Sequence, residues 1–96
     1  TSEGICGFDR EGVCIFANRA GSGLLGYATE ALRGQRFGQL FVMPESTCAY
    51  ITLQAGSCSS LKTFLRRKDG ELVRIELTVS PMIDGEVVTG SVAVFQ

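Results

Sequence analysis

The sequence predicts an α+β fold, an antiparallel sheet with short helices packed on one of its faces. Three observations carry that prediction. Two β-prone runs near the start are joined by a tight Gly-containing turn, which reads as a hairpin. The middle of the chain carries helix caps and apolar residues at three- and four-residue spacing. From Leu61 onward the apolar period changes to two, the spacing of strands with one buried face. Helices segregated between runs of strands define α+β rather than alternating α/β architecture.

Taken in order, Gly4 to Asp9 and Val13 to Ala17 form the first hairpin, turning at Arg10-Glu11-Gly12. Asn18 follows and heads Arg19 to Leu25. Asn is among the best N-caps because its side-chain oxygen accepts from an otherwise orphan helical N–H, and Gly26 supplies the left-handed C-terminal stop. Thr29 to Leu32 is a second short helix, with Thr29 as its cap and Gly34 as its stop. Phe37, Leu40 and Phe41 fall on one side of a third helical turn. Pro44 permits a helix start near Glu45, Ser46 to Ala55 is the last helical window, and 56–60 is a loop. Thr63 to Arg67 is a strand and Lys68-Asp69-Gly70 a turn. Leu72 to Ser80 then alternates strictly, with Val73, Ile75, Leu77 and Val79 on one face and Arg74, Glu76, Thr78 and Ser80 on the other. After Asp84-Gly85-Glu86, Val87 to Phe95 is apolar on both faces, which marks a central strand.

The 96 residues, 10.3 kDa in all, predict one domain spanning residues 1–96. Nine basic and ten acidic residues give a net charge of −1, and no basic stripe is present to neutralise a row of phosphates, so no nucleic-acid partner is expected. Arg66-Arg67-Lys68 reads as a solvated hairpin end. Histidine is absent, which removes the commonest general base and the commonest metal ligand. Cys6, Cys14, Cys48 and Cys58 contain no Cys-x-x-Cys knuckle of the structural zinc kind. Cys6 and Cys14 lie among apolar residues, where a free thiol behaves as a small hydrophobe. No apolar run reaches the roughly 18 residues of a membrane span, so the segment is expected to make no membrane contact and to work in the reduced cytoplasm. Gly21-x-Gly23-x-x-Gly26 matches a dinucleotide fingerprint but lacks the βαβ setting that gives it meaning. Asp9 and Asp69 are expected to close turns. No paired carboxylates and no nucleophile–base pair emerge, so the domain itself is not expected to be an enzyme.

Three local patterns then occur in order. They are Asp9-x-x-Gly12 leading to Asn18; Leu24-Leu25-Gly26-Tyr27 followed by Thr29-Glu30-x-Leu32-x-Gly34; and Arg66-Arg67-Lys68-Asp69-Gly70 followed by a strand ending Ser80-Pro81. In this combination the chain resembles a PAS domain over nearly its whole length. The resemblance implies a five-stranded antiparallel sheet with Val87 to Phe95 in its middle beside the first strand. It also implies short helices enclosing a small pocket on one face, and a flanking helix or second copy on the other. The chain ends at Gln96, where members of the family run into a connector, so the expectation is a module excised from a larger signalling protein that carries the output domain.

Candidate sites follow from the same resemblance. Haem-binding members ligate iron through a histidine that this chain lacks, leaving Met43, Cys48 or Cys58 as conceivable but unfavoured axial ligands. The reactive cysteine of light-sensing LOV members corresponds to about Phe37, and the amides that hold their flavin correspond to the apolar Leu65, Ile75 and Phe95. A flavin edge left without partners costs about 1–3 kcal/mol per polar group. No cofactor is therefore expected. The interior is expected to be built from Phe8, Phe37, Leu40, Phe41, Tyr50, Leu53, Leu65, Ile75, Leu77 and Phe95, as a filled core or as a small apolar pocket. On the outer face, Phe64, Val92 and Val94 form a candidate interface for a twin protomer or a flanking helix. The functional expectation is a non-catalytic sensory and dimerisation module of a sensor histidine kinase or cyclic-dinucleotide enzyme. The competing expectation is a structural interaction module with a filled core and no ligand.

Overall fold

Strand β1 (Gly4–Asp9) turns into β2 (Cys14–Ala17) through a loop that the Asp9 carboxylate organises. Its Oδ1 accepts from the backbone N–H groups of Glu11 and Val13, both at 2.9 Å, which fixes the turn as expected for Asp. A bulge interrupts the ladder. Gly7 faces Phe16 while Phe8 faces Cys14, so β2 spends an extra residue there. Asn18 then caps α1 (Arg19–Leu25), and Gly26 ends it at φ 78° with its N–H bonded to the Ser22 carbonyl. That left-handed conformation is one a side chain would resist.

Helix α2 (Thr29–Leu32) starts one residue earlier than the predicted cap at Thr29 implies. The capping position is Ala28, with no side-chain bond, and Thr29 is already helical. Helix α3 (Phe37–Leu40) is a single turn, held at its start by the Arg36 N–H donating to Gln39 Oε1 at 2.9 Å. At Phe41 the backbone becomes extended, φ −129° and ψ 140°, and Phe41–Val42 pairs with Leu65 and Phe64 as the short strand β3. Phe41 thus leaves the helix that its spacing suggested, yet it still points inward.

The structure, a computed structural model, describes residues 3–42 and 59–96. The helical window 46–55, with Tyr50 and Leu53, lies outside the described residues, as do Met43, Cys48 and Cys58. The chain re-enters in β4 (Ser59–Arg66), followed by β5 (Leu72–Asp84) and β6 (Val87–Phe95). The order across the sheet is β2-β1-β6-β5-β4-β3, with every pairing antiparallel. β6 therefore sits centrally beside β1, as expected, and the sheet has six strands rather than five because of β3. Two residues are too short to leave an alternation signal.

β4 also begins earlier than the period predicts. Ser59 and Ser60 look like loop residues, but β5 offers Val79 and Thr78 as ladder partners, and Thr78 Oγ1 donates to Ser60 Oγ at 3.3 Å. β5 runs on past Ser80 to Asp84. Beyond Val79, β6 is its one ladder partner among the described residues, so Pro81 falls where a missing N–H is tolerated. The inward residues of the sheet meet α1, α2 and α3 to close one apolar core.

Candidate functional site

The inner face carries an aromatic cluster. Phe8 from β1, Phe37 from α3, Phe41 from the adjoining β3 and Phe95 from β6 come together from four elements. Ring centroids lie at 5.0 Å for Phe8–Phe37, 5.1 Å for Phe37–Phe41 and 5.0 Å for Phe41–Phe95. The first and last pairs are edge-to-face, where the positive ring edge meets the negative ring face, and such pairs contribute about 0.5–1.5 kcal/mol beyond area burial. Leu40, Leu65, Ile75 and Leu77 complete the wall, all buried. Eight of the ten residues expected inside are thus brought into one core, and Tyr50 and Leu53 fall outside the described residues.

The cluster also gathers residues that the sequence did not mark for it. Leu25 and Leu32 come from the helices and Ala93 from the sheet, while Val79 joins Ile75 and Leu77 on the face its alternation assigned. For the helical leucines the available signal was their place at the last apolar position of a short helix. Polar atoms contribute little here. Thr63 and Ser91 are the buried polar residues of the described core, and Thr63 Oγ1 donates to the Val42 carbonyl. Among the described residues no buried side-chain nitrogen or oxygen lacks a partner.

Around the core, the expected turn and cap residues act on the backbone. Asn18 Oδ1 accepts from Gly21 N–H at 2.8 Å and from Ile5 N–H at 2.9 Å, while its Nδ2 donates to the Glu3 carbonyl at 3.0 Å. One amide therefore caps α1 and ties it to β1. Asp69 accepts from the Glu71 N–H at 2.9 Å. Arg66 and Arg67, expected at a solvated hairpin end, are both engaged. Arg67 donates to the Leu24 and Gly23 carbonyls at 2.6 and 3.3 Å, and Arg66 to Gly38 and Gln39 at 3.0 and 3.2 Å. Guanidinium groups here satisfy the orphan carbonyls of α1 and α3, a tertiary partnership that local reading does not show.

The outer face divides in two. Strand register places Ile5 opposite Val94, Gly7 opposite Val92, and Phe16 opposite Gly7, so Ile5, Phe16, Val92 and Val94 form one apolar patch over β2, β1 and β6. Phe16 is 40% exposed. Its ring lies across Gly7, where a Cβ would come within 2.0 Å of it, so glycine lets the ring lie flat on the sheet. Phe64 shares the outer face but not the patch. The β5 row of Arg74, Glu76, Thr78 and Ser80 lies between them, and the Arg74 guanidinium sits 5.7 Å from the Phe64 ring centroid. Phe64 is 37% exposed. Phe16 was missed in the sequence because both hydrophobic side chains of Ile15-Phe16 emerge only through the bulge, and Ile5 because only the β1–β6 register sets it beside Val94.

Among the described residues no helix is long and apolar enough to cross a membrane, and no three His, Cys, Asp or Glu side chains gather as a metal site. The arrangement offers an apolar interior and an apolar outer patch, each on rigid strands. The family model described as PAS fold matches residues 1–96. Comparison with curated proteins finds no match. Among solved structures the chain is similar to the PAS domain of a protein from Colwellia psychrerythraea, at 21% identity and TM-score 0.82, over 98% of this chain and 84% of that one. It is similar to a light-oxygen-voltage domain studied with a flavin analogue, at 20% identity and TM-score 0.83, over 99% and 76%. A PAS domain from a two-component sensor histidine kinase aligns at 17% identity and TM-score 0.82, over 98% and 83%. At these identities the likeness is one of fold.

Proposed function

The chain belongs to the PAS fold family, and we propose that it is a non-catalytic sensory module that pairs with a second copy of itself through the outer face of its sheet. The parent we propose is a sensor histidine kinase or a cyclic-dinucleotide enzyme of the cytoplasm, with the output region elsewhere in the same protein. The observation that carries the reading is the patch of Ile5, Phe16, Val92 and Val94, which runs from the edge strand β2 across β1 to β6. A contiguous apolar patch on a sheet face marks a contact site. Signalling through it works as a shift in population between two arrangements of the paired modules, set by which arrangement a signal binds better.

The interior supports a core filled by its own side chains. The rings of Phe8, Phe37, Phe41 and Phe95 pack against one another in the described core. Leu65, Ile75 and Phe95, at the positions where LOV domains hold flavin by side-chain amides, are apolar and buried. They offer no donor to a flavin ring edge, so these residues do not fit that cofactor. With no histidine in the chain, the usual haem ligand is missing too. A ligand against this wall would be apolar, because its described residues carry almost no polar groups to orient anything else.

The test is sedimentation velocity on the chain and two variants. Val92→Asp places a charge in the middle of the patch and is expected to abolish self-association. Phe64→Asp, beyond the polar β5 row, is expected to weaken it far less. Equal masses for the parent chain and Val92→Asp would overturn the proposal.

A further inference from the structure

The sequence holds two Asp-Gly dipeptides, Asp69-Gly70 at the β4–β5 turn and Asp84-Gly85 at the β5–β6 turn. An aspartyl carboxyl followed by glycine closes readily to a succinimide ring, because glycine brings no side chain to shield its amide nitrogen from attack on the neighbouring carboxyl. Both pairs are exposed. The fold nevertheless holds them very differently.

Asp69-Gly70 is pinned at both reacting groups. Asp69 Oδ1 accepts from the Glu71 N–H at 2.9 Å, and the Gly70 N–H, on the nitrogen that would attack, donates to the Arg67 carbonyl at 2.8 Å. The Arg67 N–H donates to the Glu71 carbonyl at 2.8 Å and the Lys68 N–H to the Leu25 carbonyl at 2.9 Å, which fastens the turn across its own strands and to α1. Ring closure at this turn must break the Asp69 and Gly70 bonds together.

Asp84-Gly85 has no such hold. Among the described residues no donor meets the Asp84 carboxylate and no acceptor meets the Gly85 N–H. A Cβ placed on Gly85 would meet nothing within 4 Å, so no neighbour crowds the nitrogen. The turn also ends a ribbon that outruns its neighbours. β1 pairs with β6 no further than Gly90, and β4 pairs with β5 no further than Val79. Among the described residues Ile83 and Val88, like Asp84 and Val87, therefore have only each other as ladder partners, and Ile83 and Val87 are each 56% exposed. Two strands without a third are marginal, and such a tip opens at low free energy.

We propose that Asp84 is a site of spontaneous isoaspartate formation and that the fold spares Asp69. The Gly85 nitrogen attacks Cγ of the protonated Asp84 carboxyl. An N–Cγ bond forms, the Cγ–OH bond breaks, and the hydroxyl leaves with the amide proton as water. Water then adds to the main-chain carbonyl carbon of Asp84 in the ring, and the bond from that carbon to the Gly85 nitrogen breaks. The chain now runs through Cβ and Cγ, and the former main-chain carbonyl is released as a carboxylate. One water leaves and one returns, so mass and oxidation state are unchanged. The main chain gains one carbon in the tight loop between Asp84 and Val87, which undoes the register of both tip pairs.

The experiment incubates the 96-residue chain at physiological temperature in mildly acidic buffer, folded or unfolded in urea. Its peptides are then assayed for isoaspartate by methyl uptake from S-adenosylmethionine with an isoaspartyl methyltransferase. In the folded chain the yield at Asp84 is expected to exceed that at Asp69 by about tenfold. In urea the two yields converge, because both sites are then the same dipeptide in an open chain. Asp84→Glu, which would need a six-membered ring, is expected to abolish the product at that position while Asp69 still reacts in urea. Amide exchange in the modified folded chain is expected to quicken across 83–88 and to stay unchanged across 91–95. No isoaspartate at position 84 of the folded chain, a yield at Asp69 that equals it, or an excess at Asp84 that persists in urea would overturn the proposal.

Discussion

The Asn18 amide meets three backbone groups at once, the N–H groups of Gly21 and Ile5 and the carbonyl of Glu3. An Asn→Ala change at an ordinary cap costs about 0.5–2 kcal/mol. Here Oδ1 serves a second donor on β1, so Asn18→Ala is expected at the upper end, about 2 kcal/mol, by urea unfolding. Asn18→Asp keeps Oδ1 and should recover most of that loss. Phe41 is the ring that joins Phe37 to Phe95, and it is wholly buried. Phe41→Ala should lower stability by about 3–5 kcal/mol, through lost transfer energy plus a cavity that backbone relaxation fills only in part. A loss under about 1 kcal/mol would mean that the cluster is not packed as described. The capping half of the Asn18 role was legible in the sequence, because Asn before an apolar helical run has a local meaning. Its bond to Ile5 was not, because that donor is 13 residues away in the chain.

Among the elements, those with strong periodicity were legible nearly residue for residue. β1, α1 and β6 have the predicted bounds, since each is set by its own pattern and by a turn or cap at its ends. β3 was not legible, because its two residues are extended only by virtue of pairing with β4. The same holds for the ends of β4 and β5, where Ser59, Ser60 and Pro81 follow their ladder partners against their own preference. Arg67 acts at this scale too. It joins the C-terminal carbonyls of α1 to the start of the β4–β5 turn, and Lys68 N–H adds a bond to the Leu25 carbonyl at 2.9 Å. Its ion pair with Glu71, 3.9 Å and largely solvated, adds little. Arg67→Ala should therefore cost about 1 kcal/mol in thermal or urea unfolding, while Glu71→Ala changes stability by less than half of that.

At the scale of the whole molecule, the described residues give an inner face with a packed aromatic cluster and an outer face with an apolar patch. The sequence placed Phe64, Val92 and Val94 together on that outer face. Register keeps them on one face but sets the polar β5 row between Phe64 and the other two, and it brings Ile5 and Phe16 to Val92 and Val94 instead. Alternation along single strands assigns a face; only the order of strands assigns a neighbour. The central claim is thus that a second copy meets β2, β1 and β6 rather than β4. An isotope-filtered NOE spectrum of a mixture of methyl-labelled and unlabelled chain tests this most directly. The account predicts intermolecular cross-peaks from the methyls of Ile5, Val92 and Val94 to the Phe16 ring of the other copy. Cross-peaks confined to the exposed Ile83 and Val87 at the β5–β6 turn, or none at millimolar concentration, would contradict it.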